Sequence, residues 1–174
     1  MLIAFCGLPA TGKTTLARRL AHRLNATYLR IDSIEEALLA DNGGPLVAAG
    51  AGYGVAYAVA EDNLKLGRTV IADCVNPIGL TREAWRAVAR RTGVTLLDVV
   101  VICSDRAQHC CRVEARPSGT RGSVWAEILN REFDAPEGSA VVIDTANQTV
   151  EQCLVAVATA VDQRITQNIE PPAD

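Results

Sequence analysis

Aromatic residues are scarce in this chain: two Trp, three Tyr and two Phe among 174 residues. Almost half of the residues are nonetheless apolar (49 %), so the core must be filled by aliphatic side chains and alanine. Lysine is rarer still, because of seventeen basic residues only Lys13 and Lys65 are not arginine. No run is long enough to span a membrane. The most apolar stretch, Pro45 to Ala60, is built largely of Ala and Gly and ends at Glu61-Asp62. The six cysteines (6, 74, 103, 110, 111 and 153) contain no C-x-x-C pair and no framework spacing, which excludes a disulfide scaffold. Met1 leads straight into an apolar run without a basic n-region or a cleavage site, so a reduced, cytoplasmic protein is expected. Neither sign of charge dominates. The net charge of −3 and pI near 5.4 exclude an extended nucleic-acid surface and a broad face for anionic membranes.

Against that background one stretch stands out, Gly7-Leu8-Pro9-Ala10-Thr11-Gly12-Lys13-Thr14, the G-x-x-x-x-G-K-T pattern of a phosphate-binding P-loop. It follows the apolar run Leu2 to Cys6, which reads as a buried strand. It precedes Thr15 to Ala21, where Leu16, Leu20 and Leu24 recur at helical spacing. Gly7 and Gly12 let successive N–H groups turn toward phosphate oxygens, and the helix adds the positive end of its dipole. Lys13 is then expected to reach the β- and γ-phosphates and the Thr14 hydroxyl to ligate Mg²⁺, with Thr15 completing the ATP cradle. An arginine-rich chain that writes lysine here places a compact ammonium where phosphates converge.

Further strands are expected at Ala26–Ile31, Thr69–Cys74, Val94–Cys103 and Ala140–Asp144. Helices are expected over Asp32–Leu39, over Tyr53–Leu66 with Val55, Val59 and Leu66 on one side, and over Thr81–Arg91 with Thr81 as cap. Others should run from Asp105 to about Ala115, from Val124 to Arg131, and from Thr149 to about Ile165. The alternation implies an α/β fold with a five-stranded parallel sheet covered on both faces, and ligands beyond the carboxyl ends of the strands. Residues 1–167 are expected to form one domain, with a mobile lid at about 112–123 around Pro117–Gly122, and residues 168–174 a disordered tail.

Several residues could carry chemistry. Asp32 ends the second strand and can take a proton from a substrate hydroxyl or hold Mg²⁺ through water; with Glu35 it also forms a helix capping box. Asp73 follows Val70-Ile71-Ala72 in the pattern of a Walker-B-like metal ligand, or caps the turn before Asn76-Pro77. Arg112 and Arg116, four apart with Arg106 and Arg121 nearby, can neutralise a transferring phosphoryl group. Alternatively they form a solvated face paired with Asp105 and Glu114. Asn147 follows the last strand and can border adenine. Tyr53 and Tyr57 line either the core or a substrate pocket, and Asn76 and Arg121 are further candidates for substrate contact. His109-Cys110-Cys111 is a poor metal motif, because adjacent helical residues diverge by about 100°.

The segments Gly7 to Thr15, Tyr28 to Asp32, Ala56 to Leu64, Val70 to Pro77 and Cys103 to Asp105 with Arg112 to Arg116 resemble bacterial AAA-domain-type small P-loop kinases, the group that includes adenylyl-sulfate kinase, gluconate kinase, chloramphenicol phosphotransferase and zeta toxins. The resemblance implies a nucleoside-monophosphate-kinase-like three-layer fold, Mg²⁺-ATP as donor, an aspartate base at Asp32 and lid arginines. The expected activity is transfer of the ATP γ-phosphate to a hydroxyl of a small molecule by a monomer or homodimer. Two alternatives stand beside it: a kinase for nucleotides or polynucleotide ends, and a nucleotide-dependent switch with slow hydrolysis.

Overall fold

A computed structural model describes residues 1–41, 50–116, 125–134, 138 and 140–167. The elements in chain order are β1 (Leu2–Cys6), α1 (Lys13–Leu24), β2 (Thr27–Arg30), α2 (Ile31–Asp41), α3 (Ala51–Lys65), β3 (Val70–Asp73), α4 (Gly79–Thr92), β4 (Leu96–Ile102), α5 (Arg106–Glu114), α6 (Trp125–Leu129), β5 (Val141–Asp144) and α7 (Val150–Gln167). The five strands form one parallel sheet in the order β2-β3-β1-β4-β5. β1 lies at its centre, fully buried on both faces, as its unbroken apolar sequence requires.

Alternate side chains of β1 go to opposite faces and sort the helices into two layers. Ile3 and Phe5 pack with Leu16 and Leu20 of α1 and Val157 and Val161 of α7. Leu2 and Ala4 pack with Ala56, Ala60 and Leu64 of α3 and Trp85 and Val88 of α4. A third, small cluster of Ala10, Val113 and Ile128, with Leu8 and Trp125 against it, ties the P-loop to α5 and α6. The chain thus has the α/β P-loop NTPase fold, with helices on both faces of the sheet.

Three expectations need correction. β2 is shorter than read, and α2 begins at Ile31, so Asp32 sits inside its first turn rather than at its cap. Asp32 is therefore not the first half of a capping box; its carboxylate accepts from Arg30 instead. Val55, Val59 and Leu66 share one side of α3 as expected, and it is the exposed side; the buried face is the small one, Gly52, Ala56, Ala60 and Leu64. Small side chains let α3 approach the sheet closely, and the bulkier residues are left outside. α4 starts two residues before Thr81, whose hydroxyl bonds back to the Ile78 carbonyl (2.9 Å); the helix end is capped from elsewhere, by Asp134 on Gly79 N. The capping patterns at Asp105–Gln108 and Thr149–Gln152 are formed, the second reciprocally.

Candidate active site

The loop between β1 and α1 is bent by residues in left-handed backbone. Gly7 (φ 142°) and Gly12 (φ 103°) flank Ala10 (φ 64°), a non-glycine in the same region. Gly7 is irreplaceable on steric grounds as well, since a Cβ there would run into the Val101 carbonyl oxygen. No side chain caps the start of α1 and no acidic residue occupies its first turn, so its positive end is not quenched from within. Thr11 Oγ1 donates to the Leu8 carbonyl (3.0 Å) and Thr145 Oγ1 donates to the Thr11 carbonyl (2.8 Å), fixing the loop from inside and from β5. From the far side, His109 Nε2 meets the Pro9 carbonyl at 2.8 Å, its ring edge-on to Trp125.

Lys13 is buried and donates to the Leu8 carbonyl (2.7 Å), curled over the loop it belongs to. Burial pulls its ammonium down from the usual lysine range to about 8, opposed chiefly by the negative charge of Asp73. A buried cation with one backbone acceptor is poised to exchange that carbonyl for phosphate oxygens.

Two cavities open beside this loop. The first, about 370 Å³, runs between α1, α5 and the start of α7; its walls include Gly12, Thr15, Arg112, Thr145, Gln148 and Cys153. The second, about 300 Å³, lies on the side of α2, α3 and the β3–α4 turn and is walled by Pro9, Asp32, Glu35, Tyr53, Asp73 and Thr81 among others. Lys13, Thr14 and Arg116 line both.

Asp73 ends β3, next to the P-loop strand, and is buried. Its Oδ2 accepts from the Tyr28 hydroxyl (2.7 Å) and lies 4.0 Å from Arg30 Nε. Arg30 also donates to Asp32 Oδ2 (3.0 Å), so one guanidinium sits between the two carboxylates. Tyr28 and Arg30 were not legible as site residues, although two polar side chains two apart on a strand share a face. The Asp32 position is one strand further from the P-loop than Asp73, because β3 lies between β2 and β1.

Arg112 lies in α5 and is hydrogen-bonded to the segment after β5. It donates to Thr145 Oγ1 (2.7 Å), to the Thr145 carbonyl (2.9 Å) and to Gln108 Oε1 (2.9 Å), and forms part of the wall of the first cavity. Neither it nor Arg116 takes Asp105 or Glu114 as a described partner: Asp105 caps α5, and Glu114 accepts from Cys110. Arg106 stacks over Trp125, 6.0 Å from the ring centre. Asn147 is exposed in a left-handed turn (φ 55°) and is not among the walls of the first cavity; its neighbour Gln148 is. Tyr53 lines the second cavity, whereas Tyr57 packs edge-on against Trp85 (4.6 Å between ring centres). Asn76 is fully buried behind that cavity's wall, its backbone N–H donating to the Tyr53 hydroxyl (3.0 Å). Arg121, the 117–122 loop and the 168–174 tail lie outside the described residues. Among the described residues no cluster of His, Cys, Asp and Glu could hold a metal by itself, and no helix is long and apolar enough to cross a membrane.

Residues 2–131 match the AAA domain family. The chain belongs to that family. Among curated proteins, a "probable adenylyl-sulfate kinase" of Aeropyrum pernix is 26 % identical over 167 residues, covering 87 % of this chain and 86 % of the relative. Among solved structures, the APS kinase of Mycobacterium tuberculosis in complex with AMPPNP and APS superposes with a TM-score of 0.67 at 16 % identity, over 92 % of this chain and 96 % of that one. A gluconokinase from Sinorhizobium meliloti superposes with a TM-score of 0.64 at 16 % identity, over 95 % of each chain. This AAA-domain chain therefore shares its whole fold with small P-loop kinases, well beyond the loop itself.

Proposed function

We propose that this chain is an ATP-dependent phosphotransferase that moves the γ-phosphoryl group of ATP to a hydroxyl of a small molecule. The observation that carries the reading is the meeting of two cavities at Lys13, Thr14 and Arg116. A hydrolase or switch needs one nucleotide cavity; a second, polar cavity opening onto the same ammonium is what an acceptor requires. The kinases to which the chain is similar add weight to this reading. Residues 1–167 act as one kinase domain.

ATP takes the first cavity, with its phosphates on the loop N–H groups from Gly7 to Thr15 and its base toward Gln148 and the Arg112 wall. Thr14 and Asp73, both oxygen donors on the second cavity, fit a hard cation that phosphates and water hold in the main. A Mg²⁺ ion held by Thr14 and Asp73 would supply charge neutralisation for the transferring phosphoryl group. Asp32, held by Arg30, accepts the proton of the acceptor hydroxyl as that oxygen bonds to the γ-phosphorus and the bond from phosphorus to the bridging oxygen of ADP breaks. Lys13 and Arg116 stabilise the charge on the transferred group, while Arg112 holds the nucleotide in place.

The test is a screen for ADP release from Mg²⁺-ATP over a library of hydroxylated metabolites and antibiotics. The rate should rise well above the basal hydrolysis rate with one chemical class of acceptor. A rate indifferent to every hydroxyl compound would count against the reading and favour a switch.

A further inference from the structure

The Pro9–Ala10 peptide sits at the divide between the two cavities, since Pro9 walls the second and Ala10 the first. Proline has no N–H, so the peptide before it gives a phosphate no donor. The Leu8 carbonyl of that peptide is already taken by Thr11 Oγ1 and Lys13 Nζ. The donor this part of the loop can offer is the Ala10 N–H. Among the described residues it meets no protein acceptor. The Pro9–Ala10 peptide is trans, so its carbonyl and its N–H point in opposite directions. Which way the carbonyl points decides whether an anion meets a donor or an acceptor here.

The local sequence favours the acceptor. Ala10 has φ 64°, a left-handed value at the second corner of the turn that Pro9 opens. Positive φ at that corner belongs to the type II turn, which takes proline at its first corner and glycine at its second. Proline suits the first corner, but alanine is unfavourable at the second. Most residues prefer the type I turn there, in which the central peptide is turned over and its carbonyl and N–H change places.

His109 opposes that preference. It is buried on α5, and its Nε2 lies 2.8 Å from the Pro9 carbonyl oxygen. A carbonyl only accepts, so Nε2 carries the proton and donates it. The ring stands edge-on to Trp125 (5.1 Å between centres), beside the small apolar cluster of Ala10, Val113 and Ile128. With the carbonyl drawn to the imidazole, the Ala10 N–H points the opposite way and is free for a phosphate oxygen.

We infer that His109 is a positioning residue for phosphate binding: it holds the Pro9–Ala10 peptide with its N–H toward the triphosphate. Without that donor the peptide turns over and presents a carbonyl oxygen to the anion, which repels where the N–H attracts. The inference rests on the reading of the loop as the ATP site.

Calorimetric titration with Mg²⁺-ATP and with Mg²⁺-tripolyphosphate tests it. Tripolyphosphate engages the loop without a base or ribose, and so is indifferent to the wall that Arg112 of the same helix contributes. His109→Phe keeps a ring against Trp125 and removes the donor. It should weaken both probes by the same factor, about five- to thirtyfold. His109→Gln, whose amide nitrogen can stand in for Nε2, should bind both within about threefold of the wild type. Ala10→Gly should recover most of the affinity in the His109→Phe background, because glycine takes left-handed backbone without strain. The wild type gives a readout independent of the variants: with two histidines in the chain, ¹⁵N NMR should show the neutral His109 ring protonated on Nε2 and that proton slow to exchange. Unchanged binding in His109→Phe, weakening confined to Mg²⁺-ATP (the mark of a displaced α5), His109→Gln as weak as His109→Phe, no recovery with Ala10→Gly, or a neutral ring protonated on Nδ1 overturns the inference. A wild type that binds neither probe would instead overturn the kinase reading on which it rests.

Discussion

Lys13 concentrates the physics of the site in one side chain. Its ammonium is buried, bonded to the Leu8 carbonyl at 2.7 Å, and lines both cavities. Replacing it by alanine should weaken Mg²⁺-ATP binding by about 10- to 100-fold, the range expected for one charge-assisted contact, as read by calorimetric titration. Its lowered pKa gives a second expectation with a definite sign. Phosphates bind the ammonium, so the free protein must take up a proton on binding once the pH exceeds about 8. The dissociation constant should therefore rise between pH 8 and 10 by up to about tenfold per unit, and this steepness should disappear in Lys13→Ala. Gly7 is the other residue whose identity is forced. Gly7→Ala places a Cβ against the Val101 carbonyl at φ 142°, and should cost about 2 kcal/mol or more of stability by thermal unfolding.

The elements show where sequence reading succeeds and where it stops. The P-loop is legible because its chemistry is local: glycines, lysine and threonine act through a backbone they themselves shape. For α3 the periodicity puts Val55, Val59 and Leu66 on one side, but it does not say how near the helix lies to the sheet or which side is packed. That distance is set by Ala56 and Ala60, and only the packed structure reveals it. Two substitutions test which face is packed. Ala60→Leu should destabilise by about 1–3 kcal/mol through overpacking, whereas Val59→Thr should change stability by less than about 0.5 kcal/mol, both measured by denaturant unfolding. The link between α4 and the segment after α6 was likewise illegible, since it joins residues more than fifty positions apart. Arg82, buried, donates to the carbonyls of Asn76, Pro77 and Asp134 and lies 5.2 Å from the centre of the Phe133 ring, while Asp134 caps Gly79. Arg82→Met removes these donors and should cost about 3 kcal/mol, visible as a lowered thermal midpoint.

At the scale of the whole molecule, the strand order explains the division of labour. β1 is flanked by β3 on one side and β4 on the other, so the chain turns away in opposite directions at the carboxyl end of β1, where the loop lies. Elements on the β4–β5 side wall the first cavity, and those on the β2–β3 side wall the second. Alternating strand and helix patterns made the layers predictable. The second cavity was not, because Asp32, Tyr53, Asp73 and Thr81 come from four segments whose juxtaposition depends on that order. The central claim is that phosphoryl transfer occurs where the two cavities meet, with Asp32 as base. The most direct test supplies γ-³²P-labelled ATP with an acceptor that stimulates ADP release, and compares wild type with Asp32→Asn. The wild type should place label on the organic acceptor, and the variant should retain nucleotide affinity yet lose at least about a hundredfold in transfer. Label recovered only as inorganic phosphate, or an Asp32→Asn variant transferring at the wild-type rate, would contradict it.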